Sequence, residues 1–193
     1  MLISEAVLRF IGPNISKEVL PSAVSALNQA MLEGGISPEV VQQMFLAQIM
    51  HETGELRWSR ELASGTAYNP PSKLAKTLGN TQPGDGPRFK GGGWMQLTGR
   101  YNYTQFTKEV GLKFGYDLVK NPERVVEPEA SALTAVWYWN SRNLTKYALP
   151  GTEEAFREVT RRINGGYNGY EDRKKYWLRA KEAVDPKWLL DNG

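Results

Sequence analysis

A chain of 193 residues, 40% of them hydrophobic, is long enough for one well-buried core or for a core with a smaller lobe attached. It contains no cysteine, which excludes disulfides, thiolate metal sites and a cysteine nucleophile, and favours folding in a reducing compartment. The net charge of +3, with a pI near 9.0, suits an anionic partner such as a bacterial envelope, DNA or RNA, and by itself selects none of them.

The first segment, "MLISEAVLRFIGPNISKEVL", carries Glu5 early, lacks a basic start and is broken by "GPN", so it is not read as a signal peptide. No apolar run approaches membrane-spanning length, and no transmembrane segment is expected. The pattern predicts a short helix near 2–11, a longer one near 16–33 ending at "EGG", and a third from Ser37 to about His51. Ser37 is the expected N-cap of the third, Pro38 suits its first position, and Glu39 favours the positive end of the helix.

From Ala63 to Gly93 the chain becomes dense in Gly, Pro, Asn, Ser and Thr, with a helical turn or two around "PSKLAKTL". Loops of this length are usually functional or flexible. A helix follows in "QLTGRYNYTQFTKEVG", a buried one starts near Glu129 in "PEASALTAVWYWNSRNL", and two basic helices are expected around 152–163 and 171–184. No internal repeat is visible, and at most short strands fit the glycine-rich middle, so the class is mainly α.

Residues 51–54, "HETG", end the third helix with a His-Glu pair of the kind that begins many zinc protease motifs. That motif needs a second His one turn later, and this chain has only His51; position 55 is Glu55. A lone His is more often packed or hydrogen-bonded, so no metal is expected. Glu52 is more informative. At ~100° per residue, Val41, Phe45, Gln48 and Glu52 share one stripe, which turns the carboxylate inward. Against apolar side chains the charged form of a carboxylate is disfavoured, which suits it to donate a proton.

Inverting hydrolysis of a glycosidic bond needs a second carboxylate about 6.5–9.5 Å from the first, leaving room for a water. Glu55 and Glu61 are the nearby candidates. On a continuous helix Glu61 would lie about 13 Å further along the axis and on the opposite face. The pairing with Glu61 therefore requires the chain to break, and Gly54 is the permissive residue at that place. Further on, "FKGGGWMQLTGRYNY" lets the backbone approach a ligand at three glycines and follows them with Gln96, Thr98, Arg100, Tyr101 and Asn102, a polar face fit for amide-bearing sugars. The phosphate-binding patterns G-x-x-x-x-G-K-[ST] and G-x-G-x-x-G are absent, which argues against a nucleotide.

On "FLAQIMHETGEL", "FKGGGWMQLTGRYNY" and "INGGYNGYEDRKKYW", in that order over residues 45 to about 177, the sequence resembles family 19 glycoside hydrolases, and among them the small chitinase-like phage endolysins that cut bacterial peptidoglycan. The resemblance implies a mainly α, bilobed, lysozyme-like catalytic domain over 1–193, with a cleft between lobes and the segment at about 63–93 in the smaller lobe or cleft wall. It implies no cofactor and no separate wall-binding domain. It makes Glu52 the general acid, Glu61 the base and Thr98 the hydroxyl that helps hold the water. Gln96, Tyr101, Asn102 and Asn164 become substrate contacts, and Arg173 an arginine supporting the cleft near the acids. The family usually has an arginine between the outer glycines of the 91–93 stretch, where this chain has Gly92; Arg88 and Lys90 are the nearest basic residues to stand in. The aromatic that usually follows "HETGG" is replaced by "ELRW".

The implied partner is bacterial peptidoglycan, with no nucleic acid, for a monomer made in the host bacterial cytoplasm that reaches the periplasm at lysis with help from another protein. A chitinase is the rival enzyme. A non-catalytic basic binder of envelope or nucleic acid is the rival of another class. It draws on "EDRKKYWLRAKEAV", where Arg173, Lys174, Lys175, Arg179 and Lys181 surround Tyr176, Trp177 and Leu178, an anionic-envelope contact that an enzyme also could make. Burial of those aromatics on the core is the commoner arrangement. Trp58, Trp94, Tyr101 and Tyr167 are candidates for stacking on sugars.

Overall fold

A computed structural model describes residues 3–183. The chain divides into two compact units, one from residues up to Arg57 and from Trp139 onward, the other Trp58–Tyr138. In chain order the α-helices of the described residues are α1 (Glu5–Ile11), α2 (Leu20–Glu33), α3 (Glu39–Thr53), α4 (Lys73–Leu78), α5 (Asp85–Arg88), α6 (Arg100–Glu109), α7 (Pro128–Ser141), α8 (Leu144–Ala148), α9 (Glu153–Asn164) and α10 (Tyr170–Ala183). Short 3-10 turns join several of them. No strand forms among the described residues, where two isolated bridges, Arg60 to Gly92 and Gly92 to Leu97, are the only β pairing. The last residue of the expected 171–184 helix, Val184, lies outside the described residues. No helix of the described residues is long and apolar enough to cross a membrane.

In the first unit α3 is the central element, buried along nearly its whole length from Val41 to Met50 and packed against α8, α9 and α10. Burying an apolar side chain of the size of Phe45 contributes about 1.5–3 kcal/mol, and Phe45 meets the edge of Trp139 at 5.4 Å between ring centroids. The expected cap at Ser37 does not form. Pro38, extended at φ −63° and ψ 131°, holds the N-cap position, and no side chain caps the helix. Pro38 needs no partner for a donor it lacks, so the sequence signal of a serine before it was misleading by one residue. By contrast Thr152 caps α9 through Ala155 N and Ser72 caps α4 through Ala75 N, as their types favour.

The C-terminus of α3 is built by Gly54. It is left-handed at φ 56° and ψ 54°, its N–H donates to His51 O (3.2 Å), and Glu55 N donates to Met50 O (2.8 Å). These are the two bonds of a Schellman ending. The left-handed course then continues through Glu55 (φ 61°) and Leu56 (φ 63°), where side chains make it costly by about 1–2 kcal/mol per residue. Local bonds hold it. Thr53 Oγ1 accepts from Leu56 N (2.8 Å) while donating to Ile49 O (2.7 Å).

In the second unit, Asp85 is the buried hub of the glycine- and proline-rich stretch. It accepts from Thr81 N (2.9 Å), Gln82 N (3.0 Å) and the Arg100 guanidinium, whose Nε lies 2.7 Å from Oδ2. Arg100 also lies over the Phe89 ring, and its backbone N–H donates to Asn80 Oδ1 (2.7 Å) at the start of α6. Between its short helices the long stretch is thus ordered by side-chain acceptors. Beyond it, Gly92 and Leu97 exchange both backbone bonds (3.0 and 2.7 Å), Gly93 N donates to Ser59 O (2.8 Å), and Glu61 N donates to Gly91 O (2.9 Å). Three short extended stretches are so tied side by side.

Candidate active site

In the first unit, Glu52 sits on the last turn of α3 with its side chain 24% exposed. It does face the packed side of the helix, as its stripe required. Its partner there is a cation, not the apolar wall expected: Arg173 Nη2 lies 2.6 Å from Glu52 Oε1. Arg173 comes from α10 and is 1% exposed. Its Nη1 donates to Gln48 Oε1 (2.6 Å) and its Nε points to Asn168 O (3.4 Å), so each of its three nitrogens has a partner within the protein. Gln48 in turn donates from Nε2 to Thr160 Oγ1 on α9 (3.0 Å).

His51 Nδ1 is hydrogen-bonded to Asp172 Oδ2 (2.8 Å), and Asp172 also accepts from Lys175 Nζ (2.5 Å). Burial pushes the Asp172 carboxyl up, but the bonds from Lys175 and His51 outweigh it and hold it below the usual range. The His51 ring occupies the space where a Cβ on Gly169 would stand, which explains a glycine there. Asn164, the last residue of α9, has a buried Nδ2 with no hydrogen-bond partner in the protein. A buried amide left in that state costs free energy until a ligand or water accepts from it.

Glu55 is 7% exposed and fully used: it accepts from Asn14 N (2.5 Å), Asn14 Nδ2 (3.1 Å) and Tyr176 Oη (2.9 Å). It fastens the left-handed turn to the segment after α1 and to α10. The Tyr176 hydroxyl is pushed well above its ordinary value by burial and by Glu55.

In the second unit, Glu61 is oriented at both oxygens. Oε1 accepts from Tyr68 Oη (2.8 Å) and Oε2 from Gly91 N (2.9 Å). The bond to Glu61, added to burial, raises the Tyr68 phenol above its ordinary value. Thr98 Oγ1 donates to Gln96 O (2.8 Å), and Asn102 Nδ2 donates to Thr98 O (2.8 Å). Gln96 adopts φ 50°, a left-handed turn inside the 92–97 hairpin, and its Oε1 stands where a Cβ on Gly91 would intrude. Glu61, Gly91 and Gln96 are therefore neighbours, and Thr98 and Asn102 join them through Gln96. Tyr101 is 59% exposed.

The two basic stand-ins are engaged elsewhere: Arg88 donates to Val119 O and Lys120 O, and Lys90 to Ala63 O. Trp94 is buried at 3% exposure and is core, whereas Trp58 and Tyr167 remain about half exposed. On α10, Tyr176 and Trp177 are buried, Trp177 stacked on Phe156 at 4.7 Å, and Lys174 pairs with Glu153 (2.5 Å). Tyr68, Gln48 and Thr160 were not among the expected site residues. Gln48 carried a signal, as a polar residue on the apolar stripe of α3, one turn before Glu52; Tyr68 carried none.

A model of the family described as "Chitinase class I" matches residues 39–151. A glycosyl hydrolase family 19 domain-containing protein of Haemophilus influenzae is 30% identical over 96% of this chain and 98% of its own length. An endochitinase of Arabidopsis thaliana is 33% identical over 71% of this chain, which spans only 43% of that protein. Among solved structures, a bacterial family 19 chitinase superposes with a TM-score of 0.71 at 21% identity, covering 95% of each chain. Chitinase C of Streptomyces griseus gives 0.70 at 21%, covering 95% of this chain and 76% of that one. The likeness shows a common, mainly helical, lysozyme-like fold.

Proposed function

The chain belongs to glycoside hydrolase family 19, and we propose that it cleaves β-1,4 glycosidic bonds of bacterial peptidoglycan by inverting acid/base catalysis, as a phage endolysin acting in host lysis. One observation carries the chemistry: Glu52 and Glu61 are part-buried carboxylates held by fixed donors, Glu52 by Arg173 and Glu61 by Tyr68 and the Gly91 N–H. In this reading Glu52 gives its proton to the glycosidic oxygen as the bond to the anomeric carbon breaks. Glu61 takes a proton from the water that adds to that carbon from the opposite face.

Glu61 keeps lone pairs beyond the two its donors occupy, so it can accept from the water without giving up its orientation. The Thr98 hydroxyl, having given its hydrogen to Gln96 O, offers its oxygen as an acceptor for the water's other proton. Gln96, Tyr101, Asn102 and Asn164 are assigned to the substrate, the buried Asn164 amide as a donor to a sugar hydroxyl or acetamido oxygen. Arg173 acts on the substrate only through Glu52. An attraction to anionic envelope through the 173–181 segment would fall to Lys174, Lys175, Arg179 and Lys181, since Arg173 is inside.

Peptidoglycan is favoured by the net positive charge, which suits an anionic envelope. The endochitinases among the relatives favour the second reading, a chitinase acting on N-acetylglucosamine polymers. Clearing of outer-membrane-permeabilised Gram-negative cells, run beside sugar release from chitin, separates the two. Lysis without chitin turnover supports the endolysin, and turnover of chitin alone overturns it. Mass spectrometry of digested peptidoglycan then identifies the bond, through muramic-acid or glucosamine reducing ends.

A further inference from the structure

We propose that Gln48 and Thr160 are positioning residues for the reaction, forming a buried side-chain relay that aims Glu52 through Arg173; this rests on the reading of Glu52 as the proton donor. Both are 0% exposed, and neither reaches solvent or substrate. The direction of the Gln48 amide follows from its partner. A guanidinium only donates, so the atom 2.6 Å from Arg173 Nη1 must be the amide oxygen, and the amide nitrogen then faces Thr160 Oγ1 at 3.0 Å.

Arg173 has a planar, rigid fork, so anchoring Nη1 on Gln48 and Nε toward Asn168 O dictates where Nη2 points. Nη2 is the atom on Glu52 Oε1. The partly exposed carboxylate is thereby placed by three helices, α3, α9 and α10, not by its own rotamer preferences. A leucine at position 48 would fill similar volume without the cost of burying an amide, so packing alone does not account for Gln48. A glutamate there would add a second negative charge one turn from Glu52 and compete for the same guanidinium. A neutral acceptor holds Arg173 without that competition.

The test measures kcat, KM and Tm on whichever polymer the wild-type enzyme hydrolyses. Gln48→Leu is expected to lower kcat by about tenfold to a hundredfold, the scale of an ångström-sized misplacement, with KM nearly unchanged. Thr160→Val gives a smaller fall in kcat, and Thr160→Ser, which keeps the hydroxyl, restores the wild-type value. In an Arg173→Lys background, Gln48→Leu causes little further loss, because the relay already ends at the missing fork. Should Gln48→Leu fail to fold, the Thr160 pair decides. Wild-type kcat in Gln48→Leu and Thr160→Val, with only Tm lowered, overturns the relay while leaving an inactive Glu52→Gln to support the acid assignment. Wild-type turnover by Glu52→Gln overturns that assignment instead.

Discussion

Arg173 Nη2 lies 2.6 Å from Glu52 Oε1, joining a side chain sealed in the core to one that still meets solvent. The pair gives the carboxylate a fixed direction, and it makes the arginine dependent on its acceptors. Glu52→Gln should reduce turnover by about 10²–10⁴-fold, the range for loss of a positioned acid, and circular dichroism should show a retained fold. Arg173→Leu should cost about 3 kcal/mol in urea denaturation, the lower end for breaking a buried pair, because the carboxylate left behind can hydrate.

Glu61 and Glu55 separate by stability and activity. Glu61→Gln should lower turnover by about 10²–10⁴-fold and cost less stability than Glu55→Gln, because the side chain is only part-buried and its new amide can turn toward solvent. Glu55→Gln places an amide donor against the donors of Asn14 and Tyr176, and should cost about 1–3 kcal/mol while the folded enzyme keeps its kcat. Wild-type turnover by Glu61→Gln would move the base elsewhere. The same variant should bring the Tyr68 phenol down toward its ordinary value, which ultraviolet titration reads directly, since the bond to Glu61 is the main cause of its elevation.

Acid sensitivity should centre on Asp85. Burial raises its carboxyl, but the bonds from Arg100 and from the N–H groups of Gln82 and Thr81 outweigh it and leave it below the ordinary value. A folded value below the unfolded one, near ~3.9, favours the folded state above that pH and is lost as pH falls through the folded value. Asp85→Asn should therefore be less stable than wild type near neutrality, and the gap should close as urea denaturation is repeated at progressively lower pH.

Gly92 is a matter of space. A Cβ there would run into Val125 Cγ1 and come within 3.1 Å of the Tyr103 hydroxyl, which itself donates to Lys90 O. Gly92→Arg, which supplies the arginine that the resemblance leads one to expect there, should destabilise by about 1–3 kcal/mol through overpacking and should not raise turnover. Gly92→Ala combined with Val125→Ala should recover part of the loss in thermal denaturation, and additive losses would show that Val125 is not the obstacle.

Much of the scaffold was legible because it depends on neighbours in the chain. The 3.6-residue stripe of α3 and the break at Gly54 act over a few residues, and each appears where its residue types place it. The N-cap of α3 was misread because Pro38 itself takes the position assigned to Ser37. The basic run on α10 by itself suits an anionic-envelope contact, yet its first cation, Arg173, is buried. Periodicity records that a residue repeats on a face, and Arg173 shows that it does not record what packs against that face.

The sequence by itself determined a mainly helical chain, an inward Glu52, a turn at Gly54 and a polar face after the glycines. Only the tertiary structure decided what each carboxylate touches. Gln48 and Arg173 are 125 residues apart, Glu55 and Tyr176 are 121 apart, and Glu61 meets Gly91 30 residues on. Helix propensity and turn chemistry are short-range energies, whereas a buried guanidinium or carboxylate is satisfied only by whichever donors and acceptors the packed helices bring within about 3 Å.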